Sequence, residues 1–562
     1  MTEPRSREDV IQQDIKDLHQ LGYAQELFRS MGGFSNFAIS FSIISILTGA
    51  VILYDYGLAW AGTAAVLIGW PLVTVFVLTI AASMAEIASA YPTAGGLYYW
   101  ASKMKNKDWG WWTAWFNLIG QFAIVAGINF AAAFFLNQAI VSPLTGGAYT
   151  NTSEIIKIGD TLLISGQLLT MAVLMAAQLV LNIAGINVVA FLNQVSVWWH
   201  IVFVGLIAAA LFILGTQDTA TDAGLTLFAI EPQDTLGSWD ITIPPGSDNP
   251  IVQFLFGPAT SYTPVFVAFF FSLLLANWTY TGYDASAHVA EETVGARVGS
   301  AWGIFLSVAV SAVVGFIFLL ALTLHLPDLS PLFGQLDDPA LYSQYYFGDN
   351  AAVVYILKEN LGEGLGGIFA GAIAIAMSFC GLSSVASAGR MLYAFSRDDG
   401  MPASGWLKKV SRRYRTPANA LTAMVVGAFI LAMVAFLAGG GTAIVIVTAI
   451  STIFLYAAYG ICIYLGATTS EWLDHRVWSL GRFSKPIAWT AVFWVVVLMV
   501  LFSFPTSGNI SITFMLAVVL FLAIYYFASA KRNFKGPHAM GSSADLTEIE
   551  REFEQAAQEV AQ

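Results

Sequence analysis

Two apolar stretches of the chain carry polar side chains of the kinds that bind small charged molecules. The first runs from Phe34 to Gly49 and is rich in serine. The second runs from Asn277 to His288 and places the carboxylate of Asp284 among aromatic and hydroxyl side chains. A carboxylate at the centre of an apolar segment costs about 3 kcal/mol or more unless it is paired or faces water. We therefore interpret Asp284 as marking a functional site, although serine, threonine and glycine are also typical of closely packed membrane helices.

The elements that must position these residues are membrane-spanning helices. Of the 562 residues, 57% are hydrophobic and 11% are charged, whereas a soluble domain has about 25% charged residues. Apolar runs long enough to cross about 30 Å of hydrocarbon recur along the chain. They lie near 33–56, 61–88, 110–136, 161–184, 189–214, 263–290, 299–323, 364–395, 418–437, 441–466, 486–504 and 509–530. Runs of this length predict an all-α membrane protein with 12 transmembrane helices, not the short alternating strands of a β-barrel.

The basic residues are distributed very unevenly between the predicted spans. Of the 24 lysines and arginines, 22 fall on one side of the predicted membrane, and Lys157 and Lys358 fall on the other. Because cytoplasmic loops carry an excess of basic residues, both termini are predicted to be cytoplasmic. No organelle signal is evident, which favours the plasma membrane. The net charge of −12 gives no indication of a nucleic-acid partner.

The chain is predicted to form one transmembrane domain, 31–535, between cytoplasmic tails at 1–30 and 536–562. The N-terminal tail has helical periodicity and predicts an amphipathic helix on the membrane surface, with a regulatory gate as the alternative. The longest external connections, 216–262 and 324–361, are rich in Pro, Asp and Gly and are predicted to be irregular lids with short helices.

The two polar stretches lie in the first and sixth predicted spans, five spans apart. Interrupted helices at matching places in two halves are typical of transporters with an inverted repeat, whose binding site lies at the interruptions. The spacing predicts broken helices 1 and 6, repeats formed by helices 1–5 and 6–10, and two extra helices. A channel would be expected to show rings of charge, and an enzyme a catalytic constellation, and the sequence has neither.

Four stretches together resemble the amino acid–polyamine–organocation superfamily, and within it the amino acid/choline transporter branch of γ-aminobutyrate and amino acid permeases. They are Phe34–Gly49, Glu86–Trp100, Gly282–Thr293 and Ser387–Pro402. The resemblance implies a LeuT-like fold and secondary active transport of amino acids, γ-aminobutyrate or choline-like amines by alternating access. It implies coupling to H+ or Na+, with H+ favoured, and no cofactor. The alternatives are an amino-acid exchanger and a non-transporting nutrient sensor on the same fold.

By this resemblance, the unwound parts of the first and sixth helices form the substrate site. Free backbone amides in the first helix would meet a substrate carboxylate. Carbonyls and rings in the sixth would receive an ammonium group, with a cation–π contribution from an aromatic face. For Trp278 the alternative is simple packing. The expected substrate-binding residues are Ser45, Thr48, Gly49, Ala50, Trp278, Thr279, Tyr280 and Gly282.

The candidate ion-coupling residues lie in the fifth, sixth and eighth spans. His200 follows Asn193 by seven residues, where some proton-coupled relatives carry a lysine that replaces a bound sodium ion. A histidine changes charge near neutral pH, so His200 is either a proton-sensitive group or a neutral histidine hydrogen-bonded in the bundle. If sodium is the coupling ion, Ser383 and Ser384 are candidate oxygen ligands. Asp284 either neutralises a cationic substrate group or takes up a proton.

Three charged residues are predicted at the cytoplasmic ends of their spans. Glu86, Arg390 and Arg397 form either an inner gate or structural ion pairs. The cysteines, Cys380 and Cys462, both lie in apolar spans without metal-ligand spacing, so no metal site is expected.

Overall fold

The computed structural model describes residues 6–158, 161–215, 265–327, 351–439, 443–503 and 510–561. Within this part, 11 helices are long and apolar enough to cross a membrane, and a shorter apolar helix, Ala268–Thr279, lies in the predicted sixth span. The described helices therefore account for the 12 predicted spans, and the prediction of an all-α membrane fold is confirmed.

The helices of the membrane domain follow the predicted order. The first span comprises Gly33–Ile44, Ile46–Ile52 and Tyr54–Ala61, and the sixth comprises Val265–Ser272, Leu274–Thr279 and Ala285–His288. The others are Trp70–Ala90, Lys107–Leu136, Gly166–Ala184, Ile186–Leu214, Ala296–Leu324, Ala352–Arg397, Ala418–Gly439, Ala443–Thr468, Ser484–Ser503 and Ile510–Tyr525. π-helical turns extend three of these helices at Ala65–Gly69, Asn137–Val141 and Tyr526–Ala530. Short helices lie at Leu97–Met104, Ser142–Leu144, Ser404–Leu407 and Lys531–Asn533, with 3₁₀ turns at Ala290–Glu292, Glu471–His475 and Gly481–Phe483.

The first span lies at the centre of the bundle and the last span at its periphery. In the most apolar 18-residue segment of each, 94% of the first is buried, against 17% of the last. The first span is buried because it contacts the fifth, seventh and eighth spans. A central polar helix is thus shielded from lipid, as its many hydroxyl side chains require.

One local departure from the predicted spans occurs. The predicted start of the fourth span at 161 is wrong, because β1 (Glu154–Ile158) and β2 (Thr161–Ser165) form an antiparallel hairpin. Ser165 then caps the helix that begins at Gly166 by accepting a hydrogen bond from the Leu168 amide. The eighth span begins close to its predicted start, because Gly362 (φ 77°, ψ 164°) separates it from the helical residues that begin at Ala352.

The predicted connection 216–262 and residues 328–350 of the other long connection lie outside the described residues.

Both described termini lie at one end of the bundle, which we call the termini end. The N-terminal helix is Arg7–Gln20 and the C-terminal helix is Ser543–Ala561. His19 lies 2.8 Å from Glu550, and the Met540 amide donates to the Gly22 carbonyl at 2.9 Å. Leu18 of the N-terminal helix is buried against protein. The two tails therefore pack on each other and on the membrane domain.

Candidate functional site

The first span is broken at Ser45. Its φ of 34° and ψ of 87° are left-handed, a conformation that ends Gly33–Ile44 and starts Ile46–Ile52 in a new direction. A left-handed serine is costly for an L-residue. The first helix is thus broken as predicted, but the break is confined to Ser45, and Thr48, Gly49 and Ala50 lie within the helix Ile46–Ile52.

The sixth span is broken between Thr279 and Ala285. Gly282 has a φ of +86°, and a Cβ added there would lie 2.2 Å from Cγ2 of Ile43 in the first span. Glycine is therefore required both by its backbone conformation and by the close approach of the two broken helices. The predicted break of the sixth helix is present as well.

The two breaks face each other in tight contact. A Cβ added at Gly49 would lie 2.6 Å from Oγ1 and 2.8 Å from Cα of Thr279. The neighbouring Ala50 and Thr48 are also buried. The structure thus brings the residues predicted from the two helices into one central cluster.

His200 joins this cluster from the fifth span. Its Nε2 lies 2.7 Å from the Ser45 hydroxyl, which lies 2.5 Å from the Thr48 hydroxyl. Its Nδ1 lies 2.8 Å from the Ser196 carbonyl, so Nδ1–H is the donor to that oxygen. Nε2 then faces a hydroxyl group, which can donate to a neutral imidazole or accept from a charged one. Hydrogen bonding at Nε2 therefore fits either protonation state of His200, whereas complete burial disfavours the charged ring.

Asp284 lies in a dense network of donors and not in open space. Its Oδ1 accepts from the Tyr459 hydroxyl at 2.8 Å. Its Oδ2 accepts from the amides of Asn117 at 3.0 Å and Gln121 at 3.3 Å, and lies 3.2 Å from Nε2 of His288. These donors stand on the third, sixth and tenth spans. A carboxylate so surrounded is stabilised in its charged form despite complete burial.

The aromatic residues predicted at the sixth-span break point in different directions. The Trp278 indole donates to the Ser451 hydroxyl on the tenth span at 3.0 Å. The Tyr280 ring packs against Trp70, with centroids 4.7 Å apart, and its hydroxyl lies 2.7 Å from that of Thr74 on the second span. Each therefore holds the break against a different neighbouring helix.

The two eighth-span serines bond to their own helix. Ser384 donates to the Cys380 carbonyl at 2.9 Å, and Ser383 donates to the Phe379 carbonyl at 2.8 Å. Ser383 also contacts the side-chain oxygen of Asn193. Both hydroxyl oxygens retain accepting capacity, since a hydroxyl has two lone pairs.

The predicted charged residues at the span ends are all paired, but not with one another. Arg390 pairs with Glu292, and Arg397 pairs with Glu291 at 2.9 Å. All four side chains are at least 95% buried. These two ion pairs join the eighth span to the segment that follows the sixth span at the termini end.

Glu86 belongs to a separate cluster at the same end. It accepts from Arg476, the Leu480 amide and the Ser484 hydroxyl, each at 2.7 Å. Arg476 and Leu480 lie between the tenth and eleventh spans, and Ser484 begins the eleventh. Glu86 therefore fixes the end of the second span to the peripheral helices.

Carboxyl groups of the tails and span ends lie buried around these pairs. Burial raises the pKa of Glu26, which accepts from the Tyr393 hydroxyl. Burial also raises the pKa of Asp398, which accepts from Tyr23 at 2.8 Å and from Tyr98 at 3.0 Å. The N-terminal segment is thus tied to the ends of the second and eighth spans.

Several residues of the cluster were missed by the sequence analysis. The tenth span supplies Tyr456, whose hydroxyl lies 3.1 Å from the Asn277 carbonyl and 3.3 Å from the Tyr280 carbonyl, and Tyr459, which donates to Asp284. Two tyrosines three residues apart in an otherwise apolar span were the available signal, since such residues share one helix face. His288 was quoted in the resembling stretch but assigned no role.

A family model for amino acid permeases matches residues 31–526, which include both broken helices and every residue of the central cluster. The chain belongs to this family. The resemblance found in the sequence is therefore confirmed. Members of the family are transporters, so the permease is a multi-pass membrane transporter and not an enzyme.

Relatives of the permease match it along nearly its whole length. It is 36% identical over 538 residues to "Amino-acid permease BAT1" of Arabidopsis thaliana, covering 92% of this chain and 95% of the relative. It is 27% identical over 550 residues to the "GABA-specific permease" of Saccharomyces cerevisiae, covering 95% and 87%. A "Putative polyamine transporter" of Candida albicans is 26% identical over 553 residues, covering 96% and 91%.

Proposed function

We propose that this permease carries a zwitterionic or cationic amino acid or amine by alternating access, coupled to protons. The observation that carries this proposal is that the two helix breaks meet and that Nε2 of His200 lies 2.7 Å from the hydroxyl of the left-handed Ser45. The names of relatives that include a γ-aminobutyrate permease and a polyamine transporter support a substrate with an amino group.

The proposed substrate site consists of the facing residues of the two breaks. Their burial and their hydroxyl groups suit a small polar ligand that must be shielded from lipid. The proposed contacts are Ser45, Thr48, Gly49, Ala50, Trp278, Thr279, Tyr280 and Gly282.

Proton coupling is proposed because His200 sits where both protonation states find a partner. The Ser45 hydroxyl that contacts Nε2 belongs to the break itself, so a charge change on His200 acts directly on the backbone that meets substrate. In this account Ser383 and Ser384 pack the eighth span, whereas sodium coupling would make them ion ligands. The four donors around Asp284 favour a role in holding charge over direct contact with substrate.

We also propose that the termini end faces the cytoplasm and that the permease resides in the plasma membrane. Support comes from the 22 basic residues assigned to that side by the sequence. The ion pairs of Arg390 and Arg397 would then close the inner side of the pathway, while Glu86 braces the second span.

The test is uptake by the purified permease in liposomes. A panel of amino acids, γ-aminobutyrate and choline is offered with a pH gradient or a sodium gradient imposed separately. The proposal predicts accumulation driven by the pH gradient alone. Accumulation that requires sodium would contradict proton coupling. Flux seen only after preloading with substrate would identify an exchanger, and folded protein without any flux would identify a sensor.

A further inference from the structure

His288 lies in a buried contact with Asp284 that the proposed mechanism leaves unexplained. It lies one helical turn beyond Asp284, and neither side chain is exposed. Its Nε2 lies 3.2 Å from Oδ2 of Asp284, and its Nδ1 lies 3.1 Å from the Ala94 carbonyl oxygen. Both ring nitrogens therefore face oxygen acceptors.

The two oxygen acceptors beside the His288 ring determine how many N–H groups the ring needs to satisfy both. A neutral imidazole has one N–H, so it can donate to Asp284 or to Ala94 but not to both. Asp284 already accepts from Tyr459, Asn117 and Gln121, an arrangement that suits a carboxylate. The observed contacts are all satisfied by imidazolium and carboxylate, a pair with no net charge, which a buried site tolerates far better than one unpaired charge.

Within the part of the chain that the structure describes, the other titratable groups near this pair do not supply a compensating charge. Tyr283 and Cys462 are close enough to interact with the Asp284 charge, and both are ordinarily neutral at pH 7. Glu291 lies on the far side of the Ala94 peptide and is paired with Arg397. Among the described residues, His288 is therefore the group placed to balance the charge of Asp284.

Ala94 belongs to the turn that follows the second span at the termini end. Its amide donates to Glu291 at 3.0 Å while its carbonyl faces His288, so one peptide unit is held from both sides by the sixth-span segment. Two residues on, Gly96 has a φ of +46°, and a Cβ there would lie 3.0 Å from Cε1 of His288. The turn packs directly on the imidazole ring.

We propose that His288 is a proton-binding residue whose Nδ1 proton holds the Ala94 turn against the sixth span and so keeps the termini end closed. Loss of this proton to water converts the imidazolium to neutral imidazole, which keeps Nε2–H on Asp284. The Nδ1 lone pair then faces the Ala94 carbonyl oxygen, and the repulsion favours withdrawal of the turn. This inference rests on the proposed transport function, and adds to it a second protonated group besides His200.

Cysteine labelling tests the inference without substrate or ion gradients. Cys380 and Cys462 are replaced by alanine, and Thr93→Cys is introduced in the turn, where the native side chain is buried. The rate at which a maleimide modifies the introduced thiol is measured in the Thr93→Cys variant. This rate is divided by the rate for Ser543→Cys, on the exposed start of the C-terminal helix, to correct for the effect of pH on thiol reactivity itself. The ratio is expected to rise with pH through a single midpoint.

Substitutions of His288 separate a proton effect from a structural one. His288→Gln, which cannot become charged, is expected to label fast at every pH. His288→Lys, which stays charged, is expected to label slowly at every pH. Exposed His475→Gln at the same end serves as the control and is expected to behave as the parent. A parent ratio that does not change with pH, or a His288→Gln variant with the parental pH dependence, would overturn the inference.

Tyr459→Phe provides a second test if the His288 variants do not fold. Removing one donor leaves the Asp284 charge less stabilised, so the proton is held more tightly and the midpoint is expected to rise by about one pH unit, or about 1.4 kcal/mol. An unchanged midpoint would contradict the inference. Uptake that requires sodium would contradict the proposed proton coupling but would not affect the labelling result. Failure of the proposed function and failure of this inference are therefore distinguishable.

Discussion

Individual residues at the two breaks are constrained by sterics as much as by chemistry. Ser45 adopts a left-handed conformation with a side chain, whereas Gly282 meets Ile43 so closely that no side chain fits. The hydroxyl of this serine contacts His200. Strain at a non-glycine residue of a polar cluster is typical of functional sites.

Gly282→Ala is expected to destabilise the permease by about 2–4 kcal/mol, since it adds overpacking against Ile43 to an unfavourable positive φ. Thermal unfolding in detergent measures the effect. Gly364→Ala is the matched control, because an added Cβ there meets nothing within 4 Å and the residue is helical. Equal unfolding temperatures for the two variants would show that the breaks do not approach as described.

Asp284→Asn is expected to preserve expression and abolish driven uptake. The amide keeps an oxygen for the Tyr459 hydroxyl but removes the charge that holds the proton of His288. Uptake under an imposed gradient is compared with that of Asp399→Asn, an exposed carboxylate paired with Lys408. Parental uptake by Asp284→Asn would show that its charge has no part in coupling.

Elements outside the membrane domain are held by polar contacts at the termini end as well as by buried apolar side chains such as Leu18. The C-terminal helix places Glu550 beside His19 and the Gln25 amide, the latter at 2.8 Å. Arg415 donates to the carbonyls of the same N-terminal segment and lies over the Phe553 ring at 5.5 Å. Both tails therefore contact Arg415 in the connection between the eighth and ninth spans.

Glu550→Ala is expected to loosen the N-terminal segment, because it leaves the Gln25 amide without its carboxylate acceptor. The expected cost is about 1 kcal/mol, the usual value of one such hydrogen bond. Hydrogen exchange of residues 19–28 measures it, with the exposed Glu548→Ala as control. Unchanged protection in Glu550→Ala, relative to that control, would contradict the described packing of the tails.

The N-terminal helix is also expected to respond to pH through Asp14. Burial raises the pKa of its carboxyl, and the nearby Arg29 opposes the shift without cancelling it. A carboxyl whose pKa is higher in the docked helix than in the free helix stabilises docking at pH values below the free pKa. This contribution is lost as the pH rises through the pKa of the docked helix. Protection of residues 7–20 from exchange, corrected for intrinsic rates, is therefore expected to increase on acidification. Asp14→Asn should reduce this increase and exposed Glu8→Gln should not; equal increases in both would refute the assignment.

At the scale of the whole molecule, the sequence predicts the fold well because the lipid environment leaves few alternatives. Each apolar run of about 20 residues must be a helix. The hairpin at 154–165 escaped prediction because its second strand, Thr161–Ser165, is apolar and merges with the helix that follows. The breaks at Ser45 and Gly282 were predictable because hydroxyl and glycine clusters are local features.

The partners of the site residues were not predictable in the same way. Asp284 stood out as a buried charge, but its contacts with Asn117, Gln121 and Tyr459 join residues more than 160 positions apart. No local pattern encodes such pairings. For His288 the sequence shows an acid four residues earlier, yet the decisive contact is with the Ala94 carbonyl of a distant turn.

Proton movement linked to substrate movement is the central claim, and it can be measured directly. Liposomes containing the permease and a trapped pH indicator are prepared without sodium and with equal pH on both sides. Addition of a transported amino acid or amine outside is expected to acidify the interior, with the signal absent for Asp284→Asn. Entry of the same labelled substrate at a normal rate with no change of internal pH would contradict the account.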